Sequence, residues 1–413
     1  SFSGLPGGPE NIPQWYWEIV MKIESVDFFY LALPHIRDIG DGSQDALLVR
    51  VRAGGLEGWG ECEASPLVSI AAYVTPMSHS ACKSVGSQLE GESVDSPADI
   101  LRIRRKVQAN CLDLLQAPHT LSGIDIALWD LLGKKEQAPV YSLLGYERAL
   151  PKTAYASMLF GETPEQTQAN VAEAVRRGFR AVKLGWGGYG SDLETDIAHL
   201  ELARKEAGRD VLLMVDAGTV WTQAEDPVQE AARRLPPLKA AGVLWLEEPF
   251  SSYDFDYYSR LAELAGPVNL AGGEGAHNPE MAKHMMRYAS LGFVQIDTGR
   301  IGGITAAHDV ARACMQQHVR YVNHTFTTQL ALSASIQPFA GMADSTLCEY
   351  PFQPSDLSLD LTEQPMQLDG NGTISLPEAP GLGVVPRAEA IRKYQRTVEM
   401  SVDGKNIYTS PVI

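Results

Sequence analysis

The feature that most constrains the fold is a repeat of one strand and one helix that begins near residue 150. In each repeat a short apolar run meets a glycine or acidic turn, and a stretch with helical spacing follows. Eight strand candidates recur in this way, namely KTAYAS, FRAVKLG, DVLLMVDAG, GVLWLEE, VNLAGGE, GFVQIDT, VRYVNH and STLCEY. This alternation predicts an α/β protein with a (β/α)-barrel over residues 151–350, and a doubly wound open sheet is the alternative.

The chain outside the barrel has a different pattern. Over residues 21–150, two strand-like runs meet at a glycine turn and two helices follow, which predicts an α+β domain. Residues 351–413 lose the periodicity and are expected to pack back on that first domain. Residues 1–20, rich in glycine and proline, are expected to be an extension or arm ahead of the fold.

The composition argues against several classes of partner. The formal net charge of -17 repels nucleic-acid backbones and anionic lipids. No apolar run reaches the roughly 18 to 20 residues of a membrane helix, and the opening segment lacks the features of a secretory signal. The five cysteines are scattered without CxxC spacing, so neither a disulfide framework nor a zinc site is indicated. We therefore expect a cytoplasmic protein with no nucleic-acid and no membrane partner.

A titratable side chain stands at the end of seven consecutive strand candidates. In chain order these are Lys183, Asp216, Glu247 with Glu248, Glu274, Asp297, His324 and Glu349. The carboxyl ends of the strands of a parallel barrel meet at one mouth, where such folds carry their chemistry. On its own, an acidic residue at a strand end is more often a helix N-cap or a surface charge. Their joint occurrence predicts one shared site.

Asp216, Glu247 and Glu274 end adjacent strands and supply only oxygen. Three carboxylates at such close quarters raise one another's pKa unless a cation joins them. Oxygen ligands suit a hard divalent cation, Mg²⁺ ahead of Ca²⁺ or Mn²⁺. The sequence therefore predicts a metal site.

Asp297 and His324 end the next two strands. A carboxylate on one imidazole nitrogen fixes the tautomer and raises the basicity of the other nitrogen, so the pair is a candidate base. Lys183, across the mouth, could bind a substrate carboxylate, act as a base if its pKa is depressed, or be a structural partner of a carboxylate. A metal facing a base suits removal of a proton next to a carboxylate, because the cation stabilises the enediolate.

Several short motifs carry a resemblance to a known family. They are GIDIALWDLLGK (123–134), PVYSLLG (139–145), GFRAVKLG, LMVDAG, WLEEP, GGEG, QIDTGRIGGI, NHTF, LCEY and PGLGV. Each is weak alone, but their order and spacing are specific. From about Met21 to about residue 395 the chain resembles the enolase superfamily, mandelate racemase subgroup.

The resemblance implies an architecture and a set of roles. The barrel would be of the modified TIM type, with an N-terminal α+β capping domain completed by the C-terminal segment, and the chain would form a homo-oligomer, from dimer to octamer. Asp216, Glu247 and Glu274 would bind Mg²⁺, with Mn²⁺ as a substitute. Catalytic roles would fall to the His324 and Asp297 dyad, to Lys183, and to Glu349 as the acid that hydrogen-bonds the enediolate.

One departure from the family pattern bears on the reaction. Lys183 matches the first lysine of the subgroup's Lys-x-Lys motif, and Gly185 replaces the second, which serves the opposite face of the substrate carbon. The resemblance then favours a hydro-lyase, an acid-sugar dehydratase that yields a 2-keto-3-deoxy acid, and the glycine would leave room for a polyol chain. The alternatives are a cycloisomerase, epimerase or racemase of a sugar acid or its lactone, and a non-catalytic binding protein of barrel fold.

Specificity in this family comes from loops of the capping domain. We expect LPHIRDIGDGSQ (33–44) to form a lid, with His35 and Arg37 as substrate-binding candidates. A second stretch, GWGECEASPLVS, brings Trp59 toward the same opening, with a place in the core as an equal alternative for its ring. Tyr189 follows the strand that carries Lys183. The substrate expected is a small carboxylate, a sugar acid.

Overall fold

A three-stranded antiparallel sheet forms the first part of the structure, a computed structural model that describes residues 20–413. Its strands are β1 (Ile23–Ala32), β2 (Asp45–Ala53) and β3 (Leu56–Cys62), in that order. Strands β2 and β3 are joined at Gly54 and Gly55, whose φ angles of 56° and 78° favour glycine. The expected extension at residues 1–20 lies, but for Val20, outside the described residues.

Four helices complete this cap, namely α1 (Pro66–Val74), α2 (Pro97–Asn110), α3 (Ala117–Lys135) and α4 (Val140–Leu143). Helix α3 is buried along almost its whole length and packs on β3. The approach is so close that a Cβ atom built on Gly60 would lie 2.0 Å from the carbonyl oxygen of Gly123. The glycines of the GWGE run therefore allow the contact between the helix and the sheet.

Eight parallel strands form the barrel. They are β4 (Lys152–Leu159), β5 (Ala181–Gly185), β6 (Leu212–Asp216), β7 (Val243–Glu247), β8 (Asn269–Gly272), β9 (Phe293–Asp297), β10 (Arg320–His324) and β11 (Leu347–Pro351). Neighbours in sequence pair in space from β4 to β10, and β11 pairs with β4. The predicted barrel is confirmed, because this cyclic order excludes the doubly wound sheet.

Helices surround the strands. They are α5 (Pro164–Arg176), α6 (Leu193–Ala207), α7 (Pro227–Ala232), α8 (Leu235–Ala240), α9 (Phe255–Ala265), α10 (Pro279–Tyr288), α11 (Ile304–Gln317) and α12 (Gln329–Ile336). Side-chain caps begin several of them, as at Thr163, Asp192 and Asn278. One apolar residue from each strand fills the interior: Tyr155, Ala181, Met214, Trp245, Ala271, Phe293, Val322 and Leu347. This layer of buried side chains packs inside the barrel beneath the strand-end residues.

The barrel is closed at β10 and β11 by side chains rather than by a backbone ladder. The backbone N–H of Glu349 donates to Asn323 Oδ1 at 2.8 Å, and that of Thr325 donates to Glu349 Oε2 at 2.7 Å. Asn323 Nδ2 also donates to the carbonyl of Glu349 at 3.4 Å. The side chains of Asn323 and Glu349 thus bridge the junction of β10 and β11.

The segment after the barrel contributes to both cores. It contains α13 (Asp356–Leu361), β12 (Thr373–Ile374), α14 (Ala388–Tyr394), β13 (Glu399–Val402) and β14 (Lys405–Thr409). Strand β12 pairs with β4, and Ile374 joins the barrel core, whereas Leu382 and Ile391 join the core of the cap. No helix within residues 20–413 is long and apolar enough to cross a membrane.

Candidate active site

The seven strand-end side chains gather at one mouth of the barrel. Asp216 pairs in register with both Gly185 and Glu247, and Asp297 pairs with His324. Asp216, Glu247, Asp297 and His324 are the last residues of their strands. Lys183 and Glu349 each lie two residues before the ends of β5 and β11. Glu274 follows β8 by two residues and completes the arc between Glu247 and Asp297.

Asp216, Glu247 and Glu274 form a compact cluster of carboxylates. One oxygen of each lies within 4.8 Å of the others. Burial and the charge of Glu247 raise the pKa of Asp216 well above its usual value, which reflects the cost of packing like charges together. The donor set fits a divalent cation such as Mg²⁺, because all three ligands are hard oxygens that need a positive charge between them. Glu248 instead accepts a hydrogen bond from Ser252 Oγ at 3.3 Å.

Lys183 lies between the cluster and Glu349. Its Nζ is 2.7 Å from Glu247 Oε1, 2.9 Å from Glu349 Oε1 and 3.7 Å from Asp216 Oδ2. Burial opposes the charged form, but Glu247 and Glu349 raise the pKa of Lys183 well above its usual value. The side chain is therefore held as an ammonium group, which suits the binding of anionic oxygen better than proton abstraction.

His324 is the candidate base and is held on both sides. Its Nδ1 is 2.7 Å from Asp297 Oδ2, and its Nε2 is 3.1 Å from Glu274 Oε2. Burial opposes protonation of the ring, yet Glu274 and Glu349 raise the pKa of His324 well above its usual value. Asp297 fixes the tautomer, so Nε2 faces the carboxylate cluster.

Glu349 is positioned by three partners. Ser157 Oγ donates to its Oε1 at 2.8 Å, and the backbone N–H of Thr325 donates to its Oε2 at 2.7 Å. Lys183 contacts the same Oε1. The carboxyl group therefore has a fixed orientation beside the ammonium group.

Sequence reasoning missed Arg300, which follows β9 and links the barrel mouth to the cap. Arg300 contacts Glu63 of the cap through Nε and Glu274 through Nη1, the latter at 3.0 Å. Burial opposes the charge, but Glu63, Asp297 and Glu274 raise the pKa of Arg300 well above its usual value. Arg300 stands within the QIDTGRIGGI motif, so that motif was the available signal, but its partner lies 237 residues away.

A small cavity of about 10 Å³ lies beside the dyad. It is lined by both Asp297 and His324, and by Glu61 from the cap. Burial raises the pKa of Glu61 to about 7, and Thr328 donates to one of its oxygens. Within residues 20–413, the other oxygen of Glu61 and the hydroxyl of Thr325 have no hydrogen-bond partner.

A much larger cavity, about 1170 Å³, lies away from this site, against α2 and the first turns of α10 and α11.

The space beside Gly185 is filled by Asp216. The expectation that this glycine leaves room for the polyol chain of a substrate is therefore wrong. A Cβ atom built there would lie 2.8 Å from Cβ of Asp216 and 3.1 Å from its Oδ2. The missing side chain allows Asp216 to approach β5 closely. Gly185 therefore shapes the carboxylate cluster.

The loop predicted to form a lid reaches the mouth. A Cβ on Gly40 would lie 3.2 Å from Trp186 Cβ, and one on Gly42 would overlap the ring of Phe326. Phe326 in turn contacts the ring of His324, with centroids 5.1 Å apart. His35 and Arg37 are exposed on this loop.

The two aromatic substrate-binding candidates are placed in packed surroundings. Trp59 is buried in the core of the cap, against the Phe29 ring and the Arg50 guanidinium. Of the two placements that the sequence left open for this ring, the structure shows the core, since strand periodicity alone does not fix which face is covered. Tyr189 is also buried, stacked on Phe160 with centroids 4.7 Å apart.

Family models, related sequences and solved structures all assign this chain to the same family. A model of the enolase C-terminal domain-like family matches residues 166–390, and one of the mandelate racemase / muconate lactonizing enzyme N-terminal domain matches residues 35–145. The chain is 29% identical to arabinonate dehydratase of Saccharolobus solfataricus, over 67% of this chain and 72% of that protein. It is also 29% identical to D-galactarolactone cycloisomerase of Agrobacterium fabrum, over 67% and 73%. A crystal structure from Rhodobacter sphaeroides, described as a predicted mandelate racemase, is 51% identical with a TM-score of 0.90, covering 95% of this chain and all of that one.

Proposed function

Because the chain belongs to the enolase superfamily, in the mandelate racemase and muconate lactonizing enzyme group, we propose that it dehydrates a sugar acid to a 2-keto-3-deoxy acid. The observation that carries the proposal is the orientation of His324, whose Nδ1 is held by Asp297 while Nε2 faces the carboxylate cluster. A substrate carboxylate at that cluster would present its α-hydrogen to Nε2. The similarity to arabinonate dehydratase supports the substrate class.

We propose Mg²⁺ as the cofactor, held by Asp216, Glu247 and Glu274, with Mn²⁺ as a substitute. When bound, the cation supplies positive charge that offsets these carboxylates and the substrate anion, so that His324 can reach its neutral form. Lys183 adds a second positive charge across the mouth, 2.9 Å from Glu349.

The remaining work falls to side chains of the chain itself. Neutral His324 accepts the α-hydrogen as a proton at Nε2, and Asp297 stabilises the imidazolium. Lys183 donates hydrogen bonds to the oxygen that gains charge. His324 then returns the proton to the β-hydroxyl, which leaves as water. The resulting enol gains a proton from solvent at the β-carbon and loses its 2-hydroxyl proton to solvent, which gives the 2-keto acid.

The contact between Gly185 and Asp216 supports chemistry on one face of the substrate. A base at position 185 would need a side chain where Asp216 already packs. Elimination with one base is compatible with that arrangement, whereas racemisation that needs a second base at position 185 is not. We further propose that the substrate is a small carboxylate and the active form a homo-oligomer.

The test is a panel of aldonic and aldaric acids with Mg²⁺, assayed for 2-keto acid by semicarbazide. We expect one or more acids to react, His324→Asn to abolish product, and His284→Asn, an exposed histidine on α10, to leave it unchanged. Product that persists in His324→Asn would remove the dyad from the mechanism.

A cycloisomerase of a sugar-acid lactone is the second candidate, because the relative from Agrobacterium fabrum matches as closely as the dehydratase does. The same panel should include sugar-acid lactones, analysed by NMR in deuterated buffer. A ring-opened or isomerised product without keto acid would favour this candidate. A complete lack of α-deuterium exchange across the panel would favour a non-catalytic barrel.

A further inference from the structure

Two cysteines of the cap lie directly opposite each other on neighbouring backbone segments. Cys82 and Cys111 form an isolated antiparallel bridge between a tight turn and the end of α2. On one side of the pair Lys83 N–H donates to the Asn110 carbonyl at 2.9 Å, and on the other side Asp113 N–H donates to the Ala81 carbonyl at 3.4 Å, one residue beyond the regular antiparallel register. The two cysteines therefore face each other across a bulged antiparallel bridge.

An antiparallel bridge is an arrangement that favours a disulfide. Directly opposed residues of this kind have Cα atoms about 4.5 Å apart and side chains on the same side. A disulfide accepts Cα separations of about 4.4 to 6.8 Å. On these general dimensions, closure calls for side-chain rotation and a small adjustment of the bulged backbone.

The segments that carry the two cysteines are tied together independently of sulfur. His79 Nε2 lies 2.9 Å from Asp113 Oδ2, and the turn is closed by Cys82 N–H donating to the His79 carbonyl at 3.0 Å. These contacts keep the thiols opposed in the reduced chain. A cross-link here would reinforce an existing contact.

Exposure sets the order of the chemistry. Cys82 is partly exposed, whereas Cys111 is buried. Burial and the proximity of Cys82 raise the pKa of Cys111 to about 11, so Cys111 is the poorer first nucleophile at neutral pH. An oxidant in solution therefore reaches Cys82 first.

The other three cysteines offer no comparable pair among the described residues. Cys62, Cys314 and Cys348 are all buried. The Cys62 thiol contacts the Thr120 carbonyl at 3.6 Å, and the Cys314 sulfur contacts the Met286 sulfur at 3.5 Å. Each is enclosed by other groups.

We propose that Cys82 and Cys111 are a disulfide site that closes reversibly by exchange with a low-molecular-weight disulfide. The Cys82 thiolate attacks one sulfur of the reagent, forms a mixed disulfide and releases one thiolate. The Cys111 thiolate then attacks Cys82 Sγ, forms the internal bond and releases the second. The two cysteines lose two electrons and two protons, and the reagent becomes two thiols.

The test uses the full chain, reduced and then equilibrated without oxygen in buffers of oxidised and reduced glutathione. We expect the free thiols to fall from five to three and the intact mass to fall by two hydrogen atoms. Digestion should link the peptides of Cys82 and Cys111, with chymotrypsin cutting at Tyr73 to separate Cys62 from Cys82. Excess dithiothreitol should restore five thiols.

Cys82→Ser should retain four thiols in the same buffers, because Cys111 then lacks its partner. Cys62→Ser is the matched control and should still lose two thiols. Circular dichroism before oxidation establishes that each variant is folded. Five thiols retained by the parent chain, a linkage that maps to another pair or between chains, or loss of two thiols in Cys82→Ser would each overturn the proposal.

Discussion

Replacement of Gly185 by alanine should weaken metal binding although none of the three proposed ligand residues is replaced. The new Cβ would lie 2.8 Å from Asp216 Cβ, whereas carbon atoms in contact lie about 3.5 Å apart or more. One of the two groups must therefore move by about 0.7 Å. Gly185 belongs to a paired strand on both sides, and Asp216 carries one of the three clustered oxygens. The adjustment therefore falls on the carboxylate.

The size of the effect follows from how little displacement a metal site accepts. Ligand distances tolerate about 0.2 Å, and disturbance of the groups that orient ligands typically costs about 10- to 100-fold in affinity. We expect Gly185→Ala to weaken Mg²⁺ binding by about that factor. Overpacking should also lower the free energy of unfolding by about 1–3 kcal/mol. Isothermal titration with Mg²⁺ and urea unfolding measure the two quantities.

Gly188→Ala is the matched control, because a Cβ at Gly188 meets nothing within 4 Å. It should bind Mg²⁺ as the parent does. Equal Mg²⁺ affinity in the parent and in Gly185→Ala would refute the reasoning, since it would mean that Asp216 is not confined by β5.

Three further predictions concern the base, the buried acid and the lid. Asp297→Asn should slow α-deuterium exchange by about 10²- to 10⁴-fold, because His324 loses the carboxylate 2.7 Å from Nδ1; an unchanged exchange rate by NMR would contradict this. The pKa of Glu61 is raised to about 7 from 4.5 in the unfolded chain, so its contribution to stability is full below about pH 4.5 and is lost as pH rises through about 7. Glu61→Gln should remove that loss, on the order of 3 kcal/mol, as measured by urea unfolding at pH 5 and pH 8, and parallel pH dependence in both proteins would argue against it. Gly42→Ala should raise KM several-fold with little change in Tm, since the new methyl displaces the lid from the ring of Phe326; the same KM would show that the lid is indifferent to this contact.

Much of the barrel and its mouth follows from local patterns. Each of the eight strand runs is recognisable by its apolar residues and flanking turns, and parallel connection then dictates the order in space. Because the carboxyl ends of the strands of a parallel barrel meet at one mouth, the positions of Asp216, Glu247 and His324 at the ends of their runs predict one shared site. No long-range information was needed for that step.

The features that escaped prediction depend on contacts between side chains that only the folded chain brings together. The link from Glu63 to Arg300 joins the cap to the barrel, and no local pattern pairs them. The space at Gly185 looked open because the sequence gives no measure of how near Asp216 comes. Trp59 could face either side of its strand, and its packing on Arg50 decided the outcome.

The junction of β10 and β11 ties the chemistry to the integrity of the barrel wall. Glu349 joins the two strands through its main chain and its carboxylate, and the same carboxylate meets Lys183. A substitution of Glu349 would therefore weaken the junction of β10 and β11, which has no backbone ladder, and would also alter the contact with Lys183 at the candidate active site. Hydrogen exchange of the backbone amides along β10 would distinguish a loss of activity caused by the altered carboxylate from one caused by opening of the barrel. Turnover assays alone would not separate these two causes.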